Sequence, residues 1–224
     1  MNISQNLQKI RSFLDPYTTK LIAVSKTYPS ETVLEAFHAG QTDFGENKVQ
    51  ELVSKYEVLP KTIRWHLIGH LQTNKIKYIV PFIHLIHSVD SFKLLKAINK
   101  EAEKHNRVIN CLLQIHIARE ETKFGFSEEE LFQTIQSEEL KALKHIQILG
   151  LMGMASNTDD ESQVKKEFQH IQNLFQQIKA TMETDQIRME ELSIGMSSDY
   201  KLACESGSTM VRIGSAIFGS RNYQ

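Results

Sequence analysis

The sequence predicts an α/β fold: a (β/α)8 TIM barrel, preceded by one extra N-terminal helix, as a single domain over residues 1–224. Three observations carry this. Short apolar runs alternate with amphipathic stretches from end to end. The runs number eight, and every connection is long enough for parallel pairing. The glycine fingerprint of a doubly wound dinucleotide fold is absent after the first run, which continues as AVSKTYPS.

The elements follow in order. Ile3, Leu7, Ile10 and Leu14 share one side of a helical wheel, and Pro16 ends that helix. LIAVSK at 21–26 reads as the first strand, with Val33, Leu34 and Phe37 facing inward from the next helix and Gly40 stopping it. TDFGE at 42–46, IRWHLI at 63–68 and FIHLIH at 82–87 read as strands two to four. Their helices carry Val49, Leu52, Val53 and Tyr56, then a stretch from about Gln72, then Leu94, Leu95, Ile98 and Ala102. VINCLLQIHI at 108–117 is the clearest strand, and Ser127 caps the helix that follows. IQILGLMGM at 146–154 precedes the best helix, 161–180. ELSIG at 191–195 and TMVRI at 209–213 close the series, with a short helix between them that Ser198 or Asp199 caps and Gly207 ends.

Composition narrows the function. Hydrophobic residues make up 41% of the 224, enough for a full core. The 26 basic and 27 acidic residues leave a net charge of -1, without the basic excess of a nucleic-acid binder. No apolar run approaches the roughly 20 residues that span a bilayer, and the N-terminus lacks a secretory core. Cys111 and Cys204 form no CxxC and read as packed thiols, which fits a reducing cytoplasm. His84 and His87 fall on different strand faces with no carboxylate or thiolate to join them, and His66 and His70 lack a zincin glutamate, so no metal is expected.

In such a barrel the chemistry stands at the C-terminal ends of the strands. Lys26 ends the first strand; a lysine desolvated at an apolar mouth can attack a carbonyl, though a lysine simply reaching solvent is the simpler reading of that residue alone. Ser193–Ser198 and Arg212–Ser215 supply two small-residue turns, and glycine backbone and hydroxyls there suit a phosphate. Arg212 either pairs inside the barrel with Glu205 or Glu46 or donates to a ring nitrogen or carboxylate. Together these groups suit pyridoxal 5′-phosphate (PLP). They also leave open a Schiff-base aldolase acting on a phosphosugar.

The stretches AVSKTYPS at 23–30, FGENKVQE at 44–51, WHLIGHLQTNK at 65–75, HSVDS at 87–91, ETKFG at 121–125, LGLMGM at 149–154 and LSIGMSSDYKLACESGSTMVRIGSAIFGSR at 192–221 resemble the pyridoxal phosphate homeostasis proteins, whose fold is similar to the barrel domain of alanine racemase. The resemblance implies PLP held as a Schiff base on Lys26. It implies phosphate contacts from Ser197, Gly214 and Ser215, Arg212 at the pyridine nitrogen, and Asn47, His66 and Met154 lining the pocket. His70 stands where proline is common, His116 where asparagine is, and Ala118-Arg119 where small residues lie; Ser215 replaces a frequent threonine.

The resemblance to a racemase does not transfer its activity. Racemisation needs a second base, and the chain ends at Gln224 without room for a second domain; His66 and Tyr28 are the candidates on the rim. An arginine at the ring nitrogen also weakens the ring as an electron sink, which argues against demanding chemistry such as transamination. It does not forbid racemisation, since alanine racemase uses the same device. The expectation is a non-catalytic cytoplasmic PLP carrier that serves intracellular vitamin B6 homeostasis. It works as a monomer, with PLP and PLP-dependent apo-enzymes as partners and without nucleic acid or membrane. A weak amino-acid racemase is the alternative.

Overall fold

The computed structural model describes residues 2–118 and 124–219. Within them eight parallel strands close into a barrel in sequence order. They are β1 (Lys20–Val24), β2 (Asp43–Glu46), β3 (Arg64–Leu67), β4 (Leu85–Val89), β5 (Ile109–Ile115), β6 (Ile146–Gly153), β7 (Ile187–Ser193) and β8 (Met210–Ile213). Closure pairs β1 with β8, Ile22 opposite Arg212. The helices are α1 (Ile3–Leu14), α2 (Ser30–His38), α3 (Val49–Val58), α4 (Ile76–Ile79), α5 (Phe92–Lys104), α6 (Glu128–Gln136), α7 (Glu138–Lys141), α8 (Glu161–Thr181), α9 (Tyr200–Glu205) and α10 (Ser215–Phe218). None is long and apolar enough to cross a membrane. Arg119, residues 121–123 of the ETKFG stretch and residues 220–221 lie outside the described residues.

Local chemistry explains the helices. Asn2 caps α1 by accepting from the Gln5 N–H, and Ile3, Leu7, Ile10 and Leu14 are buried as their spacing requires. Ser127 and Glu130 form a reciprocal capping box on α6. Asp160 caps α8, whose inner face buries Val164, Phe168, Ile171, Leu174, Phe175 and Ile178. Strand side chains alternate between two environments. One set packs under the helices in the large core that includes Phe44, Trp65 and Phe168. The other fills the barrel interior with Ile22, Leu85, Leu112, Met152 and Met210.

Four expectations shift. The fourth strand starts at Leu85, not Phe82, because the Phe82 and Ile83 N–H groups both donate to the Ile79 carbonyl and close a turn first. The seventh begins at Ile187: its alternating exposure hides Ile187 and Met189 among polar neighbours. It ends at Ser193 because Gly195 turns to φ +94°. The helix expected from Gln72 is a 3-10 turn, Thr73–Lys75, leading into the short α4. Asp199 occupies the cap position of α9 without capping it; its carboxylate instead accepts from the Met196 N–H at 2.5 Å.

Phe168 is fully buried on α8. Truncating it to alanine is expected to remove about 3–5 kcal/mol of stability, measured as a lower urea midpoint with an unchanged slope.

Candidate functional site

The strand parity that fills the interior continues past the strand ends. Two residues beyond Val24 comes Lys26; two beyond Gly45 comes Asn47; two beyond Arg212 comes Gly214. These positions line a cavity of about 580 Å³ at the C-terminal end of the barrel. Of the residues singled out from sequence, Lys26, Asn47, Met154, Ser197, Arg212, Gly214 and Ser215 line it together. Gln114, Gly69 and His70 join them, as do Asp90 and Phe124, which sequence reasoning missed. Asp90 follows directly on β4. A strand read as 85–89 instead of 82–87 would have exposed it as a strand-end residue.

The backbone on both sides of Lys26 is pinned from β2 and α3. The Lys55 ammonium donates to the Ser25 carbonyl, to Glu46 Oε1 and to Glu51 Oε1, each at 2.7 Å. Ser25 Oγ donates to Glu46 Oε1 at 2.6 Å, and the Thr27 N–H, at φ +70°, donates to Glu51 Oε1 at 2.6 Å. Burial pushes the Glu46 carboxyl up to about 7 despite the Lys55 charge beside it. The i,i+4 spacing of Glu51 and Lys55 was the available signal for this cluster.

Across the cavity, Arg212 is buried and pairs with neither Glu205 nor Glu46. Its Nη1 donates to the Ser193 carbonyl at 2.7 Å and to Ser193 Oγ at 2.6 Å, and its Nη2 donates to the Gly153 carbonyl at 2.9 Å. Burial lowers the guanidinium to about 10, so it stays charged at neutral pH. A guanidinium has five N–H groups; three are engaged with the barrel and two remain for a ligand. Beside it, the Gly214 N–H points to Ser197 Oγ at 3.2 Å. A side chain at Gly214 would begin 3.1 Å from the Val24 carbonyl, and one at Gly69 would strike the Asn47 carbonyl at 2.4 Å. The wall of Ser197, Ser198, Gly214 and Ser215 carries hydroxyls and N–H groups and no acid; the one carboxylate lining the cavity among the described residues, Asp90, is held by His70 Nδ1 at 2.9 Å.

His66 is a correction. It is fully buried but lies one layer beneath the cavity, because Ile68 is the β3 position that reaches the mouth. Its Nε2 meets Asp43 Oδ1 at 3.1 Å, and with Asp43, Arg64 and His84 it lines a smaller cavity of about 160 Å³ at the opposite end. A carboxylate does join His84 to His66, a pairing the sequence did not suggest: ligand atoms of Asp43, His66 and His84 lie within 4.8 Å of one another. Asp43 is already gripped by Arg64, through Nε at 2.7 Å and Nη2 at 2.5 Å, and a cation could enter only against that charge. Tyr28, the other candidate base, donates its hydroxyl to the Gly219 carbonyl at 2.6 Å and does not line the cavity. His116 does not line it either. Cys111 and Cys204 are both buried, and burial pushes both thiols up.

The fold and site define a barrel of the alanine racemase N-terminal type: the family described as "Alanine racemase, N-terminal domain" matches residues 1–222. The alanine racemase of E. faecalis superposes with a TM-score of 0.77 at 19% identity, covering 98% of this chain and 58% of that one. Nearer relatives narrow the class. The Haemophilus influenzae "Pyridoxal phosphate homeostasis protein" is 37% identical, over 100% of this chain and 98% of its own length. PipY of Synechococcus elongatus, solved without PLP, superposes with a TM-score of 0.89 at 36% identity, over 97% of this chain and 100% of that one. With PLP bound, PipY gives 0.87. The chain belongs to the pyridoxal phosphate homeostasis protein family.

The buried ionisable groups set a pH dependence. Burial lowers both His66 and His87, so the folded chain binds fewer protons than the unfolded one as pH falls through about 6.5. Their stabilisation is present above that value and is lost below it. Glu46 has the opposite sign: its raised carboxyl binds a proton in the folded state first, which adds stability as pH falls from about 7 towards 4.5. Glu46→Gln removes that compensation. Its stability is therefore expected to fall more steeply than the wild type's between pH 6.5 and 5.5, by about 1 kcal/mol, in urea titrations at the two values.

Proposed function

We propose that this protein binds PLP in the upper cavity, anchored on Lys26, and serves intracellular PLP homeostasis by storing or delivering the cofactor without robust turnover. The observation that carries the reading is the convergence of one lysine, one buried arginine and a hydroxyl-rich, acid-free wall on a single cavity of about 580 Å³. That volume falls in the range of cofactor pockets. When bound, PLP would supply an aldehyde that a primary amine can capture and a ring that withdraws electrons.

The chain's own groups divide the work. Lys26 offers the amine, and the Ser25 and Thr27 bonds hold its backbone. Ser197, Ser215 and the Gly214 backbone suit the phosphate, while Arg212 offers its remaining N–H groups to the pyridine nitrogen. Asn47 and Met154 stand where they can flank the ring. An arginine cannot give up its proton at neutral pH, so a ring nitrogen facing it stays unprotonated. This favours holding the cofactor over demanding carbanion chemistry. Apart from Lys26 and Arg212, the titratable groups lining the cavity among the described residues are the His70–Asp90 pair. Among the described residues, His70 is the second base that a racemase reading would use.

Purified protein incubated with PLP is expected to show a visible absorption band that borohydride bleaches, and Lys26→Ala is expected to lose the band while staying folded. A band unchanged in Lys26→Ala moves the anchor to another lysine, and no band in the wild type refutes the reading. Incubation with L-amino acids and chiral chromatography is expected to show negligible D-isomer; steady accumulation that His70→Ala abolishes would make the protein a racemase.

A further inference from the structure

A chain of polar side chains runs down the barrel interior, through a region otherwise filled by Ile22, Leu85, Leu112, Met152 and Met210. From the upper cavity, Arg212 Nη1 reaches Ser193 Oγ at 2.6 Å. Ser193 Oγ lies 2.9 Å from His87 Nδ1, and His87 Nε2 lies 2.9 Å from His66 Nδ1. His66 Nε2 lies 3.1 Å from Asp43 Oδ1, and Asp43 is held from the lower rim by Arg64. Ser193, His87 and His66 are wholly buried.

The two ends fix the direction of every proton between them. Asp43 can only accept: burial alone would raise its carboxyl, but the hydrogen bonds from Arg64 and His66 outweigh this and hold it ionised. His66 must therefore carry its proton on Nε2. A neutral imidazole has one N–H, so His66 Nδ1 accepts, His87 Nε2 donates, and His87 Nδ1 accepts in turn. The Ser193 hydroxyl then donates to His87, which turns its oxygen lone pairs towards Arg212. Arg212 can only donate, so the far end agrees with the near one. The opposite direction would set a bare imidazole nitrogen against a carboxylate and leave two buried acceptors facing each other.

We propose that His66 and His87 are positioning residues: with Asp43 and Ser193 they form a one-way hydrogen-bond relay that holds Arg212 in place as a fixed donor at the floor of the cofactor cavity. The proposal rests on the PLP reading only for the ligand that Arg212 meets. The relay itself is a property of the ligand-free protein. Without it the Ser193 hydroxyl has no acceptor at His87 and can turn its proton towards the guanidinium. Arg212 then loses one of its three anchors.

Two measurements test this. In long-range 1H–15N spectra of the PLP-free protein at pH 7.5, both His66 and His87 are expected as the neutral Nε2–H tautomer. An Nδ1–H tautomer or an imidazolium at either position overturns the relay. With PLP added, His66→Leu, which removes both the donor and the acceptor, is expected to shift the absorption maximum and its pH midpoint and to weaken PLP retention by about tenfold. His66→Gln, which keeps an acceptor and a donor, is expected to restore both. A folded His66→Leu with wild-type spectrum, midpoint and retention overturns the positioning role. If His66→Leu does not fold, the comparison passes to His66→Gln and Ser193→Ala, and a wild-type spectrum in Ser193→Ala overturns it equally. Failure of the wild type to take up PLP refutes the cofactor reading and leaves the tautomer test standing.

Discussion

A guanidinium sealed inside a barrel is the constraint that the rest of the interior answers. Arg212 sits in β8 with almost no exposure, and a bare charge there would be prohibitive. No carboxylate meets it directly. Its anchors are two backbone carbonyls at strand ends and one serine hydroxyl, and the negative charge that acts on it is Asp199, which makes no hydrogen bond to it. Neutral dipoles satisfy the cation without cancelling it. The charge thus remains available to a ligand in the cavity that Arg212 lines.

The lysine side of the cavity uses a different device. A buried Lys55–Glu46 pair, joined by Ser25 and Glu51, fixes the backbone flanking Lys26. Such buried pairs add little net stability, since desolvation offsets most of the attraction. Their value here is positional: Ser25 and Thr27 are each held by a charged partner, so the residue between them leaves the barrel in a defined direction. The raised carboxyl of Glu46 is the residue of that desolvation.

Family membership and site geometry address different questions. Relatives at 37% identity over the whole chain carry the family, whereas alanine racemases near 19% carry the fold alone. The cavity wall shows where the candidate bases stand. Tyr28 is turned away to Gly219, His66 lies beneath the floor, and His70 is tied to Asp90. Among the described residues, the titratable side chains on the cavity wall are Lys26, Arg212 and the His70–Asp90 pair.

Period and spacing carried most of the fold, because each strand run and amphipathic helix records its own neighbours locally. Lys26, Asn47, Arg212 and Gly214 were legible for the same reason: strand parity places them on the inward set just past the ends. Legibility failed where one strand's position depended on another's register. Reading β4 three residues early hid Asp90 and misplaced His87, and the family resemblance put His66 in the upper cavity, where Ile68 stands instead. The Arg212–Ser193–His87–His66–Asp43 chain joins five separate points in the sequence, one on each of five strands. No local pattern encodes it; it exists only because barrel closure brings β8, β7, β4, β3 and β2 around one narrow axis, where each polar group must find its partner in another strand.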